Sequence, residues 1–361
     1  MRAYVVVAVV LVILAAIIFP AVQVAREAAR RMQCGHNMQT HCFALASYHD
    51  LFHFYPHGAQ NRPMDADREK ISWGRSWLVA LLTFENGHDE FQQINAAEQT
   101  RAGSCYTSTE VRSVVSGKKF MFFVCPSSPL PEWQTLTGGK LQVPSYAGIM
   151  GATNESGTKW ESFTDSRIVG APYSGQAAGN GMLVINECLP LALDGWANTI
   201  VIGEVSDWYF DDAGTKRNPA LSIGNAGDIA FDEEAGWLAG NNLRFIDNPR
   251  FKENAELPEK VALYVYQDGP PILNNSVCNL ITIDQPIGAN NRGGASDKAP
   301  NWGTKGIGRC GFNNPLLSAH PAGAMVGFLD GHVMLLTKQT SLLILKKLAC
   351  RDESFAGCDG Y

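Results

Sequence analysis

Residues Tyr4 to Phe19 form an unbroken run of sixteen apolar residues, closed by Pro20 and followed directly by AVQVAREAARRMQC. Few environments accept such a stretch. As a helix, the segment up to about Val24 covers roughly 33 Å at 1.5 Å per residue, enough for the ~30 Å hydrocarbon layer of a bilayer. Tyr4, Val9, Leu14, Phe19 and Pro20 mark it from end to end. A secretory signal would carry a basic leading region, a shorter apolar core and a small-x-small cleavage site. Here Arg2 is the lone charged side chain before the run, and the apolar stretch passes straight into a helical pattern. A buried helix of a soluble core rarely reads as sixteen apolar residues with so many β-branched side chains. The expectation is an uncleaved single-pass anchor. Arg26, Arg30 and Arg31 follow the span, so the positive-inside rule taken alone puts the C-terminal bulk in the cytoplasm. That count is outweighed because large domains translocate largely regardless of charge.

Beyond Pro20, the apolar positions Ala25, Ala29, Met32, Met38, Cys42, Leu45 and Phe52 step by helical spacings and define one stripe. Arg26, Arg30, Arg31, Asn37 and Gln39 fall on the other face. The helix is expected to run to about His49 or Leu51, before the turn-rich YPHGAQNRP at 55–63. WGRSWLVALLTFENG (73–87) reads as a second helix. KFMFFVCPSSP (119–129), TIVIGEV (199–205) and KVALYVYQ (260–267) read as strands bounded by turn residues. AMVGFLDGHVMLL (324–336) has the strand, Asp-Gly, strand form of a hairpin. SLLILKKLAC (341–350) reads as a closing helix, with Lys346 and Lys347 in its last turns. The stretches 211–259 and 284–310 are rich in Gly, Asn and Asp and read as long loops. The fold class expected is α+β: a long N-terminal helix packed on a mostly antiparallel sheet, with large loop insertions. Two parts follow, residues 1–52 as anchor and helix and residues 53–361 as an exported globular domain ending in the hairpin and closing helix.

More than 300 residues lie outside the anchor, and 45% of the chain is apolar, so a packed core is expected. The net charge of −6 is spread along the chain without a basic stripe, which argues against nucleic acid as a partner. Nine cysteines are present, an odd number, and none forms a C-x-x-C pair. Disulfides are permitted in an exported domain. Cys105 with Cys125, and Cys350 with Cys358, would close short loops, though sequence does not fix connectivity. Cys34 and Cys42 are eight residues apart on one helix, about 12 Å along its axis, too far to bond to each other.

Several blocks together resemble a known family. FPAVQVAREAARRMQC, SWLVALLTF, FFVCPSSP, SYAGIMG, DGWANTIVIGE and SAHPAGAMVGFLDGHVMLL follow the order seen in a large pseudopilin-like family abundant in planctomycetes, domain of unknown function 1559. His320, nine residues, then Asp330-Gly331 match its H-x9-DG signature; Asp194, Gly195, Glu204, Cys125 and Pro126 fall in other family blocks. The resemblance implies a type IV pilin-like or pseudopilin-like architecture. It also implies an inner-membrane anchor, a globular domain in the periplasm or beyond, and lateral partners that are copies of itself or other pilin-like subunits. Members usually begin with a Gly-Phe-Thr-Leu-x-Glu processing site. That site is absent here, and Ala3 stands where the family carries its helix Glu. Lipid anchoring is therefore expected more firmly than incorporation into a filament.

The candidate chemistry is sparse. His320, Asp330 and His332 could form a metal or acid–base site, but Asp-Gly at a hairpin tip has a structural use, supplying the turn's φ > 0 residue and a cap for a backbone N–H. Asp194, Glu204 and Asp330 are weak Ca²⁺ candidates, without the D-x-D-x-D-G loop that would support them. Among the histidines at 36, 41, 49, 53 and 57, His49 and His53 have i, i+4 spacing but no intervening Glu. Cys125 has no His partner identifiable from sequence, so packing or a disulfide is expected for it. No GxSxG or Walker loop is present. The expected function is a non-enzymatic, membrane-anchored structural protein of the cell envelope, with no resident cofactor. The alternatives are an anchored module binding polysaccharide or another exported ligand through loop tryptophans (Trp160, Trp208, Trp302), and a tethered hydrolase using His320 and Asp330.

Overall fold

A computed structural model describes residues 2–63, 71–99, 108–136, 138–153, 168–171, 175–211, 213–219, 236–240, 279–289, 307 and 311–352. The expected strand at 260–267 and most of the two expected loops lie outside the described residues.

Helix α1 spans Arg2–Phe52, with Pro20 inside it. At 1.5 Å per residue it is roughly 77 Å long. Its two halves differ completely. Every side chain from Tyr4 to Arg26 is exposed, whereas Cys34, Asn37, Met38, His41, Cys42, Ala44, Leu45 and Tyr48 are buried. Those eight positions advance by one, two or three and recur every three to four residues, so they cluster on a single face. The expected stripe is right at Met38, Cys42 and Leu45. Ala25, Ala29, Met32 and Phe52 are exposed instead, and Asn37, assigned to the polar face, is buried. Its amide donates to the carbonyl of Val124 at 3.0 Å, which satisfies it there. The helix stops where His53 turns to φ 63° and returns its N–H to the carbonyl of His49, a left-handed C-terminal cap.

The domain is built on a five-stranded sheet. Its strands are β1 (Tyr146–Ala152), β2 (Ile200–Glu204), β3 (Leu280–Ile283), β4 (Gly323–Phe328) and β5 (Val333–Thr337), in the order β3-β1-β2-β4-β5. Three pairings are antiparallel, and β3 joins β1 in parallel. Every residue of β1, β2, β3 and β4 is buried, because both sheet faces are covered. The striped half of α1 covers one face, placing Met38 and Cys42 with Met150, Ile202 and Met325. Helix α2 (Leu342–Ala349) covers the other, placing Leu345 and Ala349 with Ile149, Val326 and Phe328. Gly327 sets the approach of α1: a Cβ there would lie 2.5 Å from the Cys42 sulfur. The α+β class, the long helix and the mostly antiparallel sheet stand as expected.

Two local expectations fail. Residues 73–87 begin as an extended strand, Ile71–Ser76, and become helical only from Trp77 to Leu81, with a 3-10 turn at Leu82–Phe84. The strand expected at 119–129 is a 3-10 turn at Met121–Phe123 followed by irregular chain. There Phe123 fills the α1 side of the core, and the side chain of Gln142 accepts the backbone N–H of Phe120.

Candidate functional site

At the level where α1 enters the domain, five side chains from four parts of the chain converge. Glu27 and Cys34 lie on α1, seven residues and two turns apart. Cys125 opens the turn after Met121–Phe123, with the carbonyl of Cys125 accepting the N–H of Ser128 at 2.9 Å and Pro126 between them. That is a position where the fixed φ of proline suits a turn. Glu204 ends β2. His320 lies just before β4, on a segment held beside the end of β2 by backbone hydrogen bonds from Leu317 to Glu204 and from Ser206 to Leu317.

The contacts are specific. Cys34 and Cys125 form a disulfide. His320 Nδ1 lies 2.7 Å from Glu27 Oε1, and its Nε2 lies 3.5 Å from Cys125 Sγ and 3.7 Å from Glu204 Oε1. Because a carboxylate only accepts, the Glu27 contact puts the ring proton on Nδ1. Glu27 is steadied in turn by Arg30 Nε at 3.2 Å and the Ser127 hydroxyl at 3.3 Å. Glu204 is completely buried and accepts three hydrogen bonds: Ser206 Oγ at 2.6 Å on one oxygen, Ser318 Oγ at 2.8 Å and the Met325 N–H at 3.0 Å on the other. Burial pushes its carboxyl above the usual range, although these donors and His320 pull the other way. Cys34, Cys125, Glu204 and His320 are buried, and one ligating atom from each falls within 4.8 Å of the others. Glu27, about one-third exposed, forms the rim.

These positions revise the sequence reading. His320 and Asp330 do not form a pair. Strand β4 runs between them, and its six residues span about 20 Å. Asp330 stays at the hairpin tip, where its Oδ1 accepts from the backbone N–H of His332 at 3.1 Å and contacts that ring at 2.6 Å, beside Gly331 at φ 93°. The expected turn role is the one observed. The Ca²⁺ grouping also comes apart. Asp194 and Gly195 form the turn before β2, Asp330 bonds through its N–H to Trp196 at that end, and Glu204 closes the opposite end of the strand. Glu204 points inward and joins His320, because antiparallel β2 and β4 bring the end of one beside the start of the other.

Cys125 pairs with Cys34, not Cys105, and does have a histidine partner, His320. Cys105 and Cys358 lie outside the described residues. His49 and His53 do not chelate: His49 Nε2 donates to the Pro190 carbonyl at 2.9 Å, while His53 leaves the helix at its cap. Trp73, Trp77 and Trp237 are core residues and Trp208 is partly buried, whereas Trp160 and Trp302 lie outside the described residues.

The fold and the cluster define a long apolar helix, bare for its first half, carrying an α+β domain clamped to it at the neck. The chain belongs to the family described as protein of unknown function (DUF1559), whose model matches residues 23–342. No curated protein and no solved structure matches the chain.

Proposed function

We propose that the protein is a non-enzymatic, membrane-anchored subunit of the cell envelope, pseudopilin-like in design, whose apolar rod holds the domain on the outer side of the inner membrane. The observation that carries this reading is the sharp change in α1. Among the described residues every side chain from Tyr4 through Arg26 is exposed, and Glu27 and Cys34 are the first on the same helix to be bonded to the domain. A bare rod of 23 residues is about 34 Å long, matched to a bilayer core. In lipid such a rod can associate with copies of itself or other pilin-like helices through van der Waals packing. The Cys34–Cys125 disulfide supports an oxidising compartment for the domain.

The test uses the full chain in its native membranes. Alkaline carbonate should leave the protein in the pellet, and Val9→Cys should give disulfide-linked adducts under mild oxidation that the unmodified chain does not. Recovery in the wash would refute the anchor; a pelleted V9C chain without adducts would refute lateral assembly.

A further inference from the structure

The neck cluster has a use beyond joining helix to domain. We propose that in its dithiol form it binds one zinc-class divalent cation through Cys34 Sγ, Cys125 Sγ, His320 Nε2 and Glu204 Oε1.

Four observations carry this. First, the donor set is right for zinc: two thiolates, an imidazole and a carboxylate give four ligands of the kinds tetrahedral sites use. Second, the spacing fits. Bonds of ~2.3 Å to sulfur and ~2.0 Å to nitrogen or oxygen give tetrahedral edges of about 3.3 Å between nitrogen and oxygen, about 3.5 Å from sulfur to either, and about 3.8 Å between sulfurs. His320 Nε2 already stands 3.5 Å from Cys125 Sγ and 3.7 Å from Glu204 Oε1. Once reduced, the two sulfurs have only to move apart to the length of a sulfur–sulfur edge. Third, the outer groups are in place. Glu27 binds the far nitrogen of His320, which leaves the Nε2 lone pair directed at the site; Ser206, Ser318 and the Met325 N–H orient Glu204. Such second contacts fix ligand geometry at metal centres. Fourth, all four ligands are buried, while Glu27 at the rim is partly exposed and gives the cation a polar way in.

Binding is proton-balanced. Each thiol releases its proton to water as the sulfur–metal bond forms, and His320 keeps its proton on Nδ1. Opening the disulfide takes two electrons and two protons from an external dithiol or phosphine, which is oxidised in turn; the neck is thus closed by the disulfide when oxidised and by the cation when reduced, with the same two sulfurs serving both states. This inference concerns the domain and is independent of whether the rod assembles laterally.

The experiment takes the full chain in detergent, reduces it with a phosphine without oxygen, and titrates with Co²⁺. One equivalent per chain should produce the thiolate-to-cobalt charge-transfer band and tetrahedral d–d absorption, both reversed by Zn²⁺. The unreduced protein should give neither. Cys125→Ser should abolish the band, His320→Gln should weaken affinity at least tenfold, and Glu27→Gln by about 10–100-fold. Cys188→Ser, outside the cluster, should change nothing. If reduced wild type gives no band, or if the band survives Cys125→Ser, the proposal is wrong. Should His320→Gln not fold, the partly exposed Glu27→Gln decides, with circular dichroism as the folding control: unchanged affinity in that variant overturns the assignment.

Discussion

The Cys34–Cys125 bond closes a loop with a sequence separation of 91 residues, and that length sets a magnitude. In the chain-entropy account, opening such a loop in the unfolded state costs about 4.6 kcal/mol of stability at 25 °C. For roughly 300 residues of folded domain, an unfolding entropy of ~2.1 cal/mol/K per residue converts this into a loss of about 7 °C in Tm. Cys34→Ala and Cys125→Ala should each show that loss. The double variant should lose little more than either single, because the second substitution removes a partner already lost. The assay is thermal unfolding of the oxidised, detergent-solubilised chain, followed by far-UV circular dichroism with metal chelated. Additive losses would mean that the two sulfurs act separately. A drop below about 2 °C would mean that the unfolded chain is not released by opening this loop. Alkylation of both thiols in the untreated native protein would refute the bond itself.

Three other perturbations test the packing around the neck. Burial raises the Glu204 carboxyl, so the stability its protonation confers is full below the unfolded value of ~4.3 and is lost as pH rises through the folded value. Paired melts of wild type and Glu204→Gln should therefore show Gln gaining on wild type as pH rises from about 4 to about 8, and a gap that is flat or runs the other way contradicts the account. Gly327→Val should lower stability by about 1–3 kcal/mol, because its side chain must displace the Cys42 sulfur and Met38, and an unchanged denaturant midpoint would show that α1 is not seated so closely. His41 and Glu85 form a fully buried pair at 2.5 Å, ringed by Trp77, Phe122, Phe123 and Tyr146, with His41 Nε2 and Glu85 Oε2 finding no hydrogen-bond partner among the described residues. His41→Ala should cost about 3–5 kcal/mol, whereas His41→Leu with Glu85→Leu should come within about 1 kcal/mol of wild type or exceed it in urea unfolding.

How much of this was legible in the sequence depends on which physical signal each element carries. The apolar half of α1 is legible because sixteen uninterrupted apolar residues make a helix long and apolar enough to cross a bilayer. The hairpin is legible because Asp330-Gly331 meets a turn's need for positive φ, and β2 because TIVIGEV has the length and β-branching of a buried strand. The phase of the α1 stripe is only half legible. Ala25, Ala29 and Met32 continue the helical spacing and yet are exposed, because periodicity does not reveal where along a helix, or on which face, a partner surface lies. KFMFFVC misleads for a related reason: a short apolar run reports burial and not conformation.

The site is hidden by the feature that made its motif conspicuous. Nine residues between His320 and Asp330 invite a pairing, yet those residues are a strand and its turn, so the spacing separates the two side chains. The informative residue was Glu204. A carboxylate closing a wholly apolar strand must find donors or a cation, since burying it bare would cost several kcal/mol. Antiparallel pairing of β2 with the hairpin strand then places the partner just before β4, which is His320. Glu27 and Cys34 follow only once α1 lies across that edge, because residues seven apart share a helix face but do not name what they face. Sequence patterns therefore reach the elements and, one by one, three members of the cluster, Cys125, Glu204 and His320; the convergence belongs to the topology.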